Sequence, residues 1–235
     1  MSLLRRMMMQ RSAGGSIIDN YLTIEALEDG LTAKLSTNAV EYCIDGSGLW
    51  VPLAANTETP AVNAGHTLSF RATLSPSSTE GVGVFTLTKK CNLLGNCMSL
   101  LFGDKAAEKK DMAPRAFYNL FKSCTSIVSV SENFLPATTL AENCYEYMFH
   151  SCSKLTTAPA LPATTLVKSC YLYMFYRCSK LNYIKALFTT TPSYNYTQSW
   201  VYGVASKGTF VQSKDATWGV MNYNGVPKNW TVITE

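Results

Sequence analysis

Hydrophobic and polar residues alternate along the first part of the chain, from residue 21 to about residue 103. A period of two is typical of β-strands, because successive side chains of a strand point to opposite faces of the sheet. Several short runs of this kind, separated by turns that contain glycine, indicate two packed antiparallel sheets. The pattern therefore predicts an all-β sandwich domain over residues 21–110.

Two pairs of these runs predict β-hairpins. Residues 22–26 and 31–35 flank an Asp-Gly pair, and glycine tolerates the positive φ that a two-residue hairpin turn requires. Residues 40–44 and 49–53 flank a second turn that is rich in glycine. We therefore expect the two strands of each pair to hydrogen-bond directly to each other.

The second half of the chain contains a 26-residue repeat. The sequence Leu-Pro-Ala-Thr-Thr-Leu occurs at residues 135–140 and again at residues 161–166, and the motif Cys-Tyr-x-x-Met-Phe-x-x-Cys-x-x-Leu follows it both times. A degenerate copy lies 28 residues upstream, with Leu120, Phe121 and Cys124 in matching positions. Such a period indicates stacked structural units, each of which buries its apolar face against its neighbours.

Each unit is expected to form a short helix, a turn and a strand. Thr139 and Glu142 have the spacing of a capping box, which predicts a helix over residues 140–149. The Cys, Tyr, Met and Phe of the motif then share one face of that helix, which is predicted to be the core. Two prolines that follow predict an extended return segment. Together these features predict an α/β leucine-rich-repeat solenoid over residues 111–192.

The opposite face of the predicted helix differs between the copies and is expected to be exposed. Tyrosine offers rigid amphipathic contact area, and an arginine beside it suits either a sugar or a protein surface. Tyr147, Tyr173, Tyr176 and Arg177 are therefore the candidate ligand contacts. A second interpretation is that the tyrosines only cover neighbouring repeats. The predicted exposed face holds Glu146, Tyr147 and His150 in one copy, and Leu172, Tyr173, Tyr176 and Arg177 in the next.

The C-terminal segment, residues 193–235, breaks the period and is predicted to be a β-rich cap. The last unit of a stack leaves an open apolar end that a different segment must cover. Trp200, Trp218 and Trp230 are large enough for this task. The alternative is that these tryptophans form a carbohydrate-stacking site.

The eight cysteines are predicted to be buried, reduced thiols, because five of them occupy repeat-equivalent positions. We expect Cys124, Cys152 and Cys178 to form a ladder at about the 4.8 Å spacing of adjacent strands. No histidine accompanies the cysteines at ligand spacing, so neither a metal site nor another cofactor is predicted.

Composition excludes further classes of function. The net charge of +4 is mild, and acidic residues interrupt the longer basic run at residues 105–115, so no nucleic-acid partner is predicted. No apolar stretch is long enough to span a membrane. The chain has only two histidines and no catalytic motif, so we expect it not to be an enzyme.

The N-terminal segment, residues 1–20, is predicted to be flexible. Arginines interrupt its apolar residues, which argues against a secretion signal of the Sec type. Residues 1–10 place leucines and methionines at helical spacing. These ten residues are either a disordered start or a peptide that docks on a partner.

The repeated Leu-Pro-Ala-Thr-Thr-Leu and Cys-Tyr-x-x-Met-Phe-x-x-Cys-x-x-Leu motifs resemble those of the BspA-like leucine-rich-repeat proteins. This resemblance covers residues 111–235, and the preceding sandwich resembles the companion domain of that group. The family is found on the surfaces of gut anaerobes and in their phages and prophages. The resemblance implies adhesion to a host-surface protein or glycan rather than catalysis.

Without a secretion signal, we expect assembly in the cytoplasm and display on a virion or another extracellular surface. The alternatives are a bacterial cell-surface adhesin and a structural spacer or decoration protein that has no ligand of its own.

Overall fold

The computed structural model describes residues 17–219 and 222–235, so the predicted docking peptide, residues 1–10, lies outside the described residues. Strands account for 25% of the structure and helices for 9%, and each α-helix named below has four residues. Two short 3₁₀ helices span Gly103–Glu108 and Glu132–Phe134. The other elements are α1 (Ile17–Asn20), β1 (Leu22–Ala26), β2 (Ala33–Leu35), β3 (Val40–Ile44), β4 (Val51–Leu53), β5 (Thr67–Arg71), β6 (Phe85–Leu87), β7 (Cys91–Gly95), α2 (Ser99–Phe102), β8 (Ile127–Val130), β9 (Tyr183–Ala186), α3 (Tyr194–Thr197), β10 (Thr209–Gln212) and β11 (Thr231–Thr234).

The first half of the chain is built on a six-stranded sheet with the order β4-β3-β5-β1-β7-β8. All neighbours in this sheet are antiparallel except β7 and β8, which are parallel. The separate pair β2–β6 packs against the sheet, and the rings of Phe70 and Phe85 meet edge to face at 5.2 Å. The apolar sides of the two sheets thus form a common core.

One of the two predicted hairpins is present and the other is wrong. β3 pairs with β4, as predicted. In contrast, β1 pairs with β5 and β7, whereas β2 pairs with β6. Gly30 has the expected positive φ of 79°, but its N–H donates to the carbonyl of Val62. The Asp-Gly turn therefore leads the chain from one sheet to the other instead of closing a hairpin.

The predicted α/β leucine-rich-repeat solenoid is wrong, because the structure consists of several small sheets and shows no solenoid. Residues 140–149 contain no helix, and residues 142–149 form consecutive turns. Asn143, Tyr147 and Ser151 have φ values of 59°, 56° and 61°, and the other two copies have left-handed residues at the same spacing of four. A right-handed helix requires negative φ at every position, so this backbone cannot be helical.

Backbone hydrogen bonds explain why turns replace the helix. Even-numbered residues from 144 to 152 donate to the carbonyl three residues earlier, as Met148 does to Tyr145. Odd-numbered residues from 143 to 151 donate to the next copy instead, as Tyr147 does to Leu172 over 2.9 Å. Half of the N–H groups that an α-helix would need are thus committed to a neighbouring repeat.

The predicted capping box is also absent. Thr139 forms a parallel bridge with Asp111. Glu142, three residues after Thr139, forms an ion pair with Lys168 at 2.6 Å. Both residues therefore connect one copy of the repeat to another, and neither begins a helix.

The predicted core face is confirmed, although the backbone that presents it differs. Cys144, Tyr145, Met148 and Phe149 are all at most 1% exposed. Their aromatic rings stack on those of the adjacent repeats, and this packing continues into the β-rich first half. One such series is Phe85, Phe121, Phe149 and Phe175, with successive centroid separations of 5.5, 5.6 and 5.8 Å.

The C-terminal segment adds two parallel strands and buries its tryptophans. β10 lies between β9 and β11 and is parallel to both. Trp200 is fully buried, and Trp218 and Trp230 are each 6% exposed. The indole N–H groups of all three donate to backbone carbonyls. These side chains belong to the core, so they do not form the exposed platform that a carbohydrate-stacking site requires.

Candidate ligand-binding surface

A continuous series of partly exposed aromatic side chains extends across the repeats, outside the buried core. We call this series the aromatic ladder. Its members come from all three copies of the repeat and from the C-terminal segment, and most of them are only partly buried. The aromatic ladder consists of Tyr118, Tyr147, His150, Tyr173, Tyr176, Tyr202 and Tyr223.

The ladder has two columns of nearly parallel rings. In one column Tyr147 stacks on Tyr173, with 5.0 Å between centroids and 12° between planes. In the other, Tyr176 lies between His150 and Tyr202 at 5.0 Å from each. The columns touch each other, since Tyr147 meets His150 at 5.5 Å and Tyr173 meets Tyr176 at 5.5 Å. The five rings form one contiguous surface.

Two further tyrosines cover the ends of the columns edge to face. Tyr118 meets Tyr147 with centroids 6.1 Å apart, and Tyr223 meets Tyr202 with centroids 4.6 Å apart. Tyr223 is 53% exposed and is the most exposed member of the aromatic ladder. The aromatic surface is therefore closed at both ends by rings of different orientation.

The turn backbone determines the ring spacing. Tyr147 and Tyr173 occupy equivalent left-handed positions, with φ values of 56° and 53°. A left-handed tyrosine is uncommon and costs about 1–3 kcal/mol. The N–H of Tyr147 donates to Leu172, next to Tyr173, so the inter-repeat hydrogen bond sets the distance between the rings. Stacking of the two rings offsets part of the backbone cost, by about 0.5–1.5 kcal/mol.

Three cations border the ladder. Lys122 Nζ lies 4.8 Å from the ring centroid of Tyr147, and the Arg177 guanidinium lies 5.3 Å from that of Tyr176. At one end, Arg115 lies 4.9 Å from the ring of Tyr118. A cation over a ring face is attracted by the ring quadrupole. Within the described ranges, none of these three cations forms an ion pair with a carboxylate.

Glu146 was predicted on the exposed face, but the structure buries it to 8% exposure. Its carboxylate accepts a short hydrogen bond from Asn143 Nδ2. Burial raises the pKa of the Glu146 carboxyl, while the hydrogen bond from Asn143 and the nearby charge of Arg115 lower it in part. Glu146 is buried while Tyr147 and His150 are partly exposed, because a turn, unlike a helix, does not keep positions 146, 147 and 150 on one face.

His150 is the titratable group within the columns. Its Nδ1 lies 2.9 Å from the hydroxyl oxygen of Ser151. Partial burial lowers the pKa of the His150 imidazole below its ordinary value, and the charges of Lys122 and Arg177 lower it further. A proton on this ring would therefore add a third positive charge between two existing ones.

The structure brings the four candidate residues together. Tyr147, Tyr173 and Tyr176 are adjacent in the ladder, and Arg177 lies over one of their rings. Tyr202 was not among the predicted ligand contacts, although it lies 26 residues after Tyr176 and thus continues the period. It was missed because the C-terminal segment was treated as a break in the repeat. Lys122, Tyr118 and Tyr223 were missed as well.

The cysteines lie in the core, away from this surface. All eight are unpaired and buried. The thiols of Cys152 and Cys178 donate to the carbonyls of Phe121 and Phe149 in the preceding repeats, at 3.1 and 3.0 Å. Burial raises the pKa of Cys170 to about 12, so its thiol stays protonated at neutral pH. The part of the chain that the structure describes contains no group of three or more His, Cys, Asp or Glu side chains that could hold a metal ion.

A second polar cluster lies in the β-rich half. Arg71 donates to Glu41 and to Asp104, both at 2.8 Å, and lies 4.3 Å from the ring centroid of Trp50. Tyr21 donates to the same Asp104 carboxylate at 2.8 Å. Each charge in the cluster has a partner of opposite sign, which is typical of a structural network that joins strands.

Among residues 17–219 and 222–235 there is no helix with the length and apolar character needed to cross a membrane. In comparisons with known proteins, no family model, no curated protein and no solved structure matches the chain.

Proposed function

We propose that the chain is a non-enzymatic adhesion protein that binds a macromolecule on a host surface, either a protein or a glycan, through the aromatic ladder. The observation that carries this proposal is the contiguity of seven partly accessible aromatic side chains with three cations at their border. Tyrosine and arginine are enriched among the residues that dominate binding energy at interfaces.

The distribution of variation over the repeat supports this proposal. At the core positions, Tyr145 and Phe149 recur as Tyr171 and Phe175. On the ladder side, Tyr147 recurs as Tyr173, but His150 of one copy is replaced by Tyr176 in the next, at the same place in the stack. Packing restricts the core side chains, whereas a surface position is free to follow a ligand.

Display on a virion or another extracellular surface is part of the proposal. It rests on the resemblance of the repeated motif to BspA-like surface proteins and on nothing in the geometry. The proposed partner of residues 1–10 would then be the structure that carries the protein, but those residues lie outside the described ranges.

A structural spacer or decoration protein is the second candidate. The observation that favours it is the mutual coverage of the rings, since Tyr176 has a parallel ring 5.0 Å away on each side. Such stacking would stabilise the array of repeats even if no ligand bound.

The double substitution Tyr147→Ala and Tyr173→Ala separates the two candidates. An adhesion protein should lose binding to intact target cells or particles, because both substitutions interrupt one column of the ladder. The matched control is Tyr183→Ala with Tyr194→Ala, which removes two surface tyrosines outside the ladder that are 36% and 68% exposed. Equal binding by the ladder variant, the control and the unmodified protein would show that the ladder is not the binding site, and absence of binding by all three would favour the spacer.

A further inference from the structure

The stacking of the ladder limits the chemistry that it offers to a ligand. The rings of Tyr147 and Tyr173 are parallel at 5.0 Å, and Tyr176 is covered on both faces by His150 and Tyr202. A face that is already covered cannot stack on a sugar or a base. Tyr176 therefore presents its edge, which carries partial positive charge, and its hydroxyl group, while Tyr147 and Tyr173 present an edge, a hydroxyl group and one face.

The hydroxyl group of Tyr173 is available as a donor. Tyr173 Oη accepts a hydrogen bond from Gln198 Nε2 at 2.9 Å, which leaves its own proton free to be donated to a ligand. Because equivalent rings recur every 5.0 Å, the columns form a regular comb of donors and positive edges along the stack.

Around the columns of rings, the carboxylates are paired or buried, whereas two of the positive side chains are not paired. Among the described residues, Lys122 and Arg177 form no ion pair with a carboxylate. In contrast, the carboxylate of Glu142 forms an ion pair with Lys168 at 2.6 Å. Glu146 is buried and accepts a hydrogen bond from Asn143. The surface that a ligand meets is therefore positive, and positive side chains bind carboxylate and sulfate groups in short, charge-assisted hydrogen bonds.

We propose that the aromatic ladder binds a linear acidic polysaccharide, with the comb of ring edges and hydroxyls against its sugar oxygens, and with Lys122 and Arg177 paired with its acidic groups. This inference rests on the function proposed above and assigns its ligand class. The 5.0 Å repeat of the rings is close to the advance of one pyranose ring in an extended chain.

Two other polyanions fit less well. In an extended acidic peptide, side chains on the same face recur about every 6.7 Å, which does not match the spacing of the comb. Single-stranded nucleic acid is held by bases stacked on open aromatic faces, whereas both faces of Tyr176 are covered and Tyr147 and Tyr173 each cover one face of the other.

Titration calorimetry with defined probes tests the ligand class. The probes are an oligomannuronate, an uncharged β-1,4-linked oligosaccharide of equal length, poly-glutamate and oligothymidine. We expect binding of the oligomannuronate that weakens as salt is added, and no measurable binding of the neutral oligosaccharide. Equal binding of the neutral probe, or tighter binding of poly-glutamate or oligothymidine, would overturn the proposal.

The variant Lys122→Gln with Arg177→Gln tests the site. It should lose roughly tenfold or more of its affinity for the oligomannuronate, because two charge-assisted contacts are removed. The control Lys89→Gln with Lys105→Gln removes the same charge from the β-rich half and should bind as the unmodified protein does. Circular dichroism and thermal melting verify that both variants are folded. Equal losses in both variants would mean that net charge, and not the ladder, holds the polysaccharide.

Failure of this inference is distinguishable from failure of the proposed function. If Tyr147→Ala with Tyr173→Ala abolishes binding to intact cells while the unmodified protein ignores the oligomannuronate, then the ladder is an adhesion site for another ligand and this inference is wrong. If the same double variant loses affinity for the oligomannuronate, the inference is supported whichever target carries that sugar.

Discussion

The hydroxyl groups of Tyr145 and Tyr171 are buried and have no hydrogen-bond partner among the described residues. The side chains are 1% and 0% exposed, and their rings stack with centroids 5.9 Å apart. A hydroxyl that loses its contact with water and gains no partner costs about 1–3 kcal/mol. We therefore predict that Tyr145→Phe stabilises the protein.

The magnitude follows from the packing around the ring. Phe117, which occupies the equivalent position of the preceding repeat, stacks on Tyr145 with centroids 6.0 Å apart, so a phenylalanine already fits this environment. Loss of one oxygen atom leaves a small void whose cost offsets part of the gain. The net increase in the free energy of unfolding should be about 1 kcal/mol. Tyr171→Phe should act likewise, but the two effects need not add, because the rings are in contact.

Urea denaturation followed by tryptophan fluorescence measures the change. The control is Tyr173→Phe, which removes a hydroxyl that accepts a hydrogen bond from Gln198 at 2.9 Å. It should lower the free energy of unfolding by about 0.5–1.5 kcal/mol. If Tyr145→Phe also lowers stability by about 0.5 kcal/mol or more, its hydroxyl is hydrogen-bonded in solution and the reasoning is refuted.

Two further predictions concern the core and the ladder. Phe149→Ala should lower the free energy of unfolding by roughly 3–5 kcal/mol, because the ring is fully buried between two others, whereas Tyr147→Ala should cost only about 1 kcal/mol. The opposite ranking in urea melts would mean that the two faces are assigned wrongly. Stability should also fall as the pH drops below about 6.5, since the lowered pKa of His150 makes the unfolded chain bind the proton more readily. His150→Gln should weaken this pH dependence, and an unchanged profile would exclude the histidine as its source.

The strands of the first half could be predicted because alternation is a local property. β3 and β4 were predicted together with their pairing, since a short turn forces adjacent strands to meet. The partners of β1 could not be found in this way. Thr23 in β1 is fully buried and hydrogen-bonded to Ser69, so this strand is covered on both faces, and only the assembled sheet reveals its neighbours.

The candidate site was partly predictable for a similar reason. Tyr147 recurs as Tyr173 at the repeat period, and Tyr176 lies on the same predicted face as Tyr173, so the sequence was sufficient to group the three. Tyr202 follows the same period but lies in a segment without the motif. Lys122 lies in the degenerate copy that precedes the two copies with the full motif. Their contacts with the ladder depend on how the repeats stack, which the order of residues does not reveal.

The sequence by itself determined the repeat, the core positions and the aromatic character of the outer face. These follow from side-chain chemistry at a fixed period, and they hold for any backbone that places Phe149 inside. Only the tertiary structure decided that the backbone is a series of turns, that Glu146 is buried and that the tyrosine rings stack. The physical reason is the hydrogen bonding of residues such as Tyr147, whose N–H group donates to Leu172, 25 residues along the chain. An N–H group that bonds to the next repeat cannot complete a helix within its own, and no local pattern records that choice.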